Sequence, residues 1–250
     1  MYRYDRTDLI ESLTIRCQEL VNELETHEQD MTRVIWALSL AHEFLDRQSK
    51  LKLSEALTTS GGIVNSPYFS FACWRLTGVT REIAIHTEDI SALDSLLCFL
   101  ASGVAPDTSL INDLFLPLDT RETSITSEVL TGAVVFLDSG AQETDILKPV
   151  LDAYMDKFEI FGRLRVSYEY GTSRPEIPFD DADNYALLAV ALLRLCEFSE
   201  DLRYLNCAMK LNDLIDYLCS LNLLPMSAAP IALRAVLMER SYVGRLHGSS

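Results

Sequence analysis

The stretch Pro178-Phe179-Asp180-Asp181-Ala182-Asp183-Asn184-Tyr185 sets three carboxylates just before the apolar run Ala186-Leu187-Leu188-Ala189-Val190-Ala191-Leu192-Leu193. Carboxylates this close repel one another, so one of them can keep its proton near neutral pH and serve as a general acid. The same residues also have a structural use at a helix start, where free backbone N–H groups and the helix dipole favour negative charge and Asp181 or Asp183 would cap the helix. Upstream, "LPLDTRETSITSEVLTGAVVFLDSG" repeats the pattern at an offset of 61, laying Pro117 on Pro178, Asp119 on Asp180 and Glu122 on Asp183. Two carboxylates facing each other across a cavity are what glycoside hydrolysis requires, one protonating the leaving oxygen and the other acting as base or nucleophile. Asp183 and Glu122 are the expected pair, with Asp180 and Asp181 adjusting their charge. Tyr168, Tyr170 and Tyr185 would supply stacking faces for a sugar ring, and Asp119 and Asn184 complete the expected substrate-binding set.

Helices must position these groups. Leu9, Leu13, Cys17, Leu20 and Leu24 follow steps of three and four, the stripe of an amphipathic helix, with Thr7, Asp8 and Glu11 as its start signal. A second helix is expected from Thr32 to about Gln48. Farther on, "ACWRL" at Ala72 to Leu76 echoes "ALLRL" at Ala191 to Leu195, each inside an apolar helix with an amphipathic one after it. Three helical hairpins are expected, at 67–101, 124–158 and 184–221. In the last, Tyr204, Ala208, Leu211, Ile215 and Leu218 share a face, Asp201, Asn206, Lys210 and Asp213 lie off it, and Ser199 is the expected cap. Ile160, Leu164, Val166, Tyr168 and Tyr170 alternate around Gly162, which predicts a short extended segment near 160–170. About ten helices in such hairpins predict a single all-α domain over 1–250, an α/α toroid or incomplete toroid with the apolar helices inside.

Composition narrows the partners. Hydrophobic residues make up 48% and charged residues 23%, the balance of a folded globular chain, and 10 Gly with 8 Pro suits helices better than many strands. A net charge of -16 argues against nucleic acid, whose affinity comes from Lys and Arg on phosphates, and against an anionic membrane surface. The start "MYRYDRTDLIESL" has no signal-peptide pattern, and Arg194 interrupts the longest apolar run before it reaches the roughly 18 residues of a membrane span. Cys17, Cys73, Cys98, Cys196, Cys207 and Cys219 stand singly without C-x-x-C spacing, which predicts buried thiols in a reducing cytoplasm and no metal site. His42 and His86 are expected on polar helix faces, Trp36 and Trp74 in the core. With no G-x-S-x-G, Walker or G-x-G-x-x-G motif, no cofactor is implied.

"DNYALLAVALLRLCEFSEDLRYLNCAMKLNDLIDYL", Asp183 to Leu218, resembles the hairpin repeat of six-hairpin glycosidase-like proteins, in which an acidic turn and "Arg-Tyr-Leu" open the second helix. A weaker likeness is to class II terpene cyclases and related prenyltransferase barrels, where an aromatic segment and a Pro precede an Asp-rich motif. Tyr168 to Tyr170, Pro178 and Asp181-Ala182-Asp183-Asn184 match in that order, and the likeness implies Asp183 as proton donor, with Asn184 standing where that family has an Asp. The expected function is therefore a cytoplasmic protein that binds or processes a carbohydrate-like small molecule by carboxylate acid/base chemistry. The alternatives are a cyclase with a dry aromatic cavity around Asp183, and a non-catalytic helical-repeat module with exposed apolar hairpin ends. A protein partner or homo-oligomer fits any of the three.

Overall fold

The computed structural model describes residues 6–24, 31–60, 66–80, 90–115, 127–140, 144–160 and 182–248, and their regular structure is all helical. Helix α1 (Thr7–Glu23) buries Leu9, Leu13, Cys17, Leu20 and Val21, the expected stripe. The second helix is shorter than expected: α2 (Met31–Ala41) passes into a 3-10 turn at His42–Phe44, and α3 (Arg47–Ser60) starts afresh. Asp46 causes the break, its carboxylate accepting the Ser49 N–H at 2.8 Å, so a local cap overrides continuous helix propensity. Next come α4 (Pro67–Thr77), α5 (Ala92–Ala101), α6 (Thr108–Phe115), α7 (Ser127–Asp138) and α8 (Leu147–Ile160). The chain finishes with α9 (Ala182–Ser199), α10 (Leu202–Ser220), a 3-10 turn at Met226–Ala228 and α11 (Ala229–Gly248).

The third expected hairpin forms as an antiparallel pair. Glu200 adopts the left-handed conformation (φ 57), its N–H returns to the Cys196 carbonyl at 2.9 Å, and α10 begins two residues later. Its cap is Asp201 rather than Ser199: Asp201 accepts the Arg203 N–H at 2.9 Å, while the Ser199 hydroxyl donates back to the Leu195 carbonyl. Tyr204, Ala208, Leu211, Ile215 and Leu218 of α10 are buried on α9, as their spacing predicted.

The first expected hairpin differs. Gly103, just past α5, lies so close to Thr80, just past α4, that a Cβ on it would stand 3.0 Å from the Thr80 methyl. At the other ends, Asp94 and Tyr68 interact electrostatically. Helices α4 and α5 therefore point the same way, a direction that hydrophobic periodicity does not encode.

Shared sense extends further. Neighbouring pairs α2–α4, α4–α5, α5–α7, α7–α9, α9–α11 and α11–α2 close on themselves. Starts meet starts, with Arg33 of α2 5.3 Å from the Tyr68 ring of α4, and ends meet ends, with Arg75 of α4 bonded to Asp138 of α7 at 2.9 Å. α1 packs on α11, and α10 on α9 and α11. Helix α9 is buried on every side from Ala186 to Leu193, and one hydrophobic cluster extends from Leu9 to Val236. No helix among the described residues is long and apolar enough to cross a membrane.

Candidate functional site

The starts of the ring helices bring polar side chains to one rim. Asp183, Asn184 and Tyr185 all lie in the first turn of α9, Asn184 buried and the other two half-buried. Asp183 occupies an early helical position rather than the cap. One oxygen of Asp183 and the Asn184 side-chain oxygen are buried without a hydrogen-bond partner among the described residues, as is the Trp36 indole nitrogen of α2. Buried polar atoms usually find partners, so the two adjacent oxygens of Asp183 and Asn184 mark a place where a polar ligand or water would be held.

Burial pushes the Asp183 carboxyl above its usual range; the Ser227 hydroxyl and the Arg33 guanidinium pull it down without cancelling that effect. A carboxyl in this position can carry a proton that a fully solvated one would release. Arg33 also lies over the Tyr68 ring, and Trp36 meets that ring edge-on at 5.6 Å, which joins α2 and α4 in an aromatic and cationic wall. Burial raises the Tyr68 hydroxyl, Arg33 opposes, and Asp94 and Glu128 raise it further. Carboxylates from α5, α7 and α9 thus share the rim with Arg33 and Tyr68. Glu128 is exposed in the first turn of α7, and Asp94 lies in the first turn of α5.

Glu122, Asp119, Asp180, Asp181, Tyr168 and Tyr170, together with the extended segment expected near 160–170, lie outside the described residues. Sequence reasoning missed Arg33, Tyr68 and Glu128, because no spacing rule connects three separate helix starts.

The opposite end of the ring holds a second unforeseen constellation. Asp138, at the last position of α7, has a side chain only 2% exposed. Arg234 of α11 donates to both its oxygens at 2.6 Å, Arg75 of α4 donates at 2.9 Å, and the Arg194 Nε of α9 stands 3.2 Å away. A carboxylate at a helix C-terminus opposes the helix dipole. Burial would raise this carboxyl, yet Arg234, Arg75 and Arg194 together hold it below the usual range. Arg75 and Arg194 are the arginines that the "ACWRL" and "ALLRL" echo aligned, so a signal existed, though it marked repetition rather than a shared target.

Cys17, Cys73, Cys98, Cys196 and Cys207 are buried and Cys219 half-buried. Burial pushes the Cys17 thiol up to about 12, which keeps it unreactive. Comparison with protein-family models, curated proteins and solved structures finds no match to this chain.

Proposed function

We propose that the ring of like-pointing helices is the inner layer of an α/α toroid, and that the protein binds or processes a carbohydrate-like small molecule at the rim where those helices begin. Asp183 is the general acid in this reading. The observation that carries it is the buried oxygen of Asp183, without a partner among the described residues, on a carboxyl raised by burial and acted on by Arg33, the same guanidinium that lies over the Tyr68 ring. An apolar wall with a few convergent polar groups is the usual form of a small-molecule site. Glu128 and Asp94 are candidate second carboxylates among the described residues, and Glu122, five residues before α7, retains the role its sequence position suggested.

Thermal denaturation of wild type and Asp183→Asn against simple sugars, sugar nucleotides and prenyl diphosphates tests this. A sugar should stabilise the wild type and leave the variant unmoved. Stabilisation by prenyl diphosphates alone favours the cyclase reading instead. A non-catalytic interaction module has one observation in its favour: Val79, Val104, Phe198 and Leu202, at the far ends of the ring helices, are 45–59% exposed. No response to any compound supports that module.

A further inference from the structure

The Asp138 cluster has more positive charge than its own carboxylate can balance. Asp138 accepts two bonds from Arg234 and one from Arg75, and Arg194 Nε stands 3.2 Å away as an ion pair, so three guanidiniums crowd one carboxylate. Arg194 turns a second arm to Glu197 at 2.7 Å, and Glu197 is shared with Arg245 at 3.0 Å. Arg75 spends Nε on the Ser39 carbonyl and Nη1 on Asp138, which leaves Nη2 without a bond among the described residues. In a chain of net charge -16, three guanidiniums on one buried carboxylate form a rare local excess of positive charge.

That excess reaches solvent beside Arg75, whose side chain is 23% exposed. A cleft of about 410 Å³ lies between the ends of α2 and α4, lined by Ser39, His42, Glu43, Trp74, Arg75 and Gly78, with Asp138 at its base. Gly78 ends α4 in the left-handed conformation, and a Cβ there would meet nothing within 4 Å, so the mouth is open. Glu43 acts electrostatically on both His42 and Arg75. We propose that this cleft binds a small organic phosphate or carboxylate, its anionic end on Arg75 Nη2 and His42 and a hydroxyl group on the same molecule facing Glu43. The guanidinium fork suits an oxyanion, and Ser39 and Asp138 fix it from behind, so little ordering remains when the ligand binds. Glu43 excludes a second negative charge and selects for a hydrogen-bond donor.

The site is independent of the rim at Asp183. Asp183 and Arg194 are eleven residues apart on α9, roughly 16 Å along the axis. Each proposal can fail alone.

Titration calorimetry with inorganic phosphate and with glycerol 3-phosphate, at ionic strength held constant with chloride, tests the cleft. Wild type should bind both saturably, glycerol 3-phosphate more tightly, and Glu43→Gln should narrow that difference. Arg75→Lys keeps the charge beside Asp138 but loses the fork, and should weaken both ligands about tenfold. His42→Gln, whose imidazole makes no hydrogen bond among the described residues, should weaken them several-fold without loss of circular dichroism. If Arg75→Lys fails to fold, His42→Gln decides the matter. Heat that never saturates, or affinities unchanged in the folded variants, overturns the proposal.

Discussion

Asp183 differs from an ordinary first-turn aspartate because burial outweighs the Ser227 hydroxyl and Arg33. Folding raises its pKa, so below the unfolded value of about 4 the group is neutral in both states and costs nothing. As pH rises through that value toward the folded one, a penalty develops and then persists. Asp183→Asn should therefore be at least as stable as wild type at pH 7, with its advantage fading as pH falls to about 4, measured by urea denaturation across that range. A variant that loses about 1 kcal/mol at every pH would show that Asp183 acts as a helix cap. The sequence made the carboxylate cluster visible. It did not show that Asp183 sits inside the first turn with an oxygen buried, because burial depends on α2 and the turn at Ser227, which approach from far along the chain.

Among elements, the turn between α9 and α10 carries a local strain. Glu200 holds φ 57, a conformation that costs a residue with a Cβ about 1 kcal/mol. Glu200→Gly should raise stability by about 0.5 kcal/mol, the relief being partly offset by the greater freedom of glycine in the unfolded chain. A chemical denaturation curve shifted to lower midpoint would contradict this. Gly78 shows the reverse: at φ 69 with open space around it, Gly78→Ala should cost about 1 kcal/mol through backbone strain alone, and Gly78→Asn less. Periodicity located α1, α9 and α10 closely, since each buries a face that recurs with the helical repeat. It overran α2, because the Asp46 cap competes locally with helix continuation, and it gave no direction for α4 against α5.

At the scale of the molecule, two buried charge clusters tie distant segments together. Arg6, buried at the start of α1, donates to Glu239 of α11 at 3.1 Å and to Asp213 of α10 at 2.8 Å, while Asn212 supports Glu239 at 2.6 Å. Asp138 does the same for α4, α7, α9 and α11. Removing one partner from a buried cluster leaves unpaired charge, and the cost is largest where the lone opposite charge is lost. Asp138→Asn should lose about 3–5 kcal/mol, whereas Arg194→Met, which leaves Asp138 with Arg75 and Arg234, should lose clearly less. Folding lowers the Asp138 pKa, so its contribution is complete above about pH 4 and disappears as pH falls through the folded value. Acid unfolding followed by circular dichroism should accordingly be less steep for Asp138→Asn, and equal losses for the two variants would refute this hierarchy.

The sequence by itself determined that the chain is helical, where most helices lie, which of their faces are buried, and that an acidic group stands at the start of α9. These follow from contacts a few residues long, which composition and spacing record directly. Only the tertiary structure decided that α2, α4, α5, α7, α9 and α11 close into a ring of shared sense. Only the tertiary structure, likewise, brought Arg33 to both Tyr68 and Asp183 and gathered three arginines on Asp138. Those meetings join residues up to 150 positions apart, as Arg33 to Asp183 does, and no local pattern of one chain specifies which helix end reaches which.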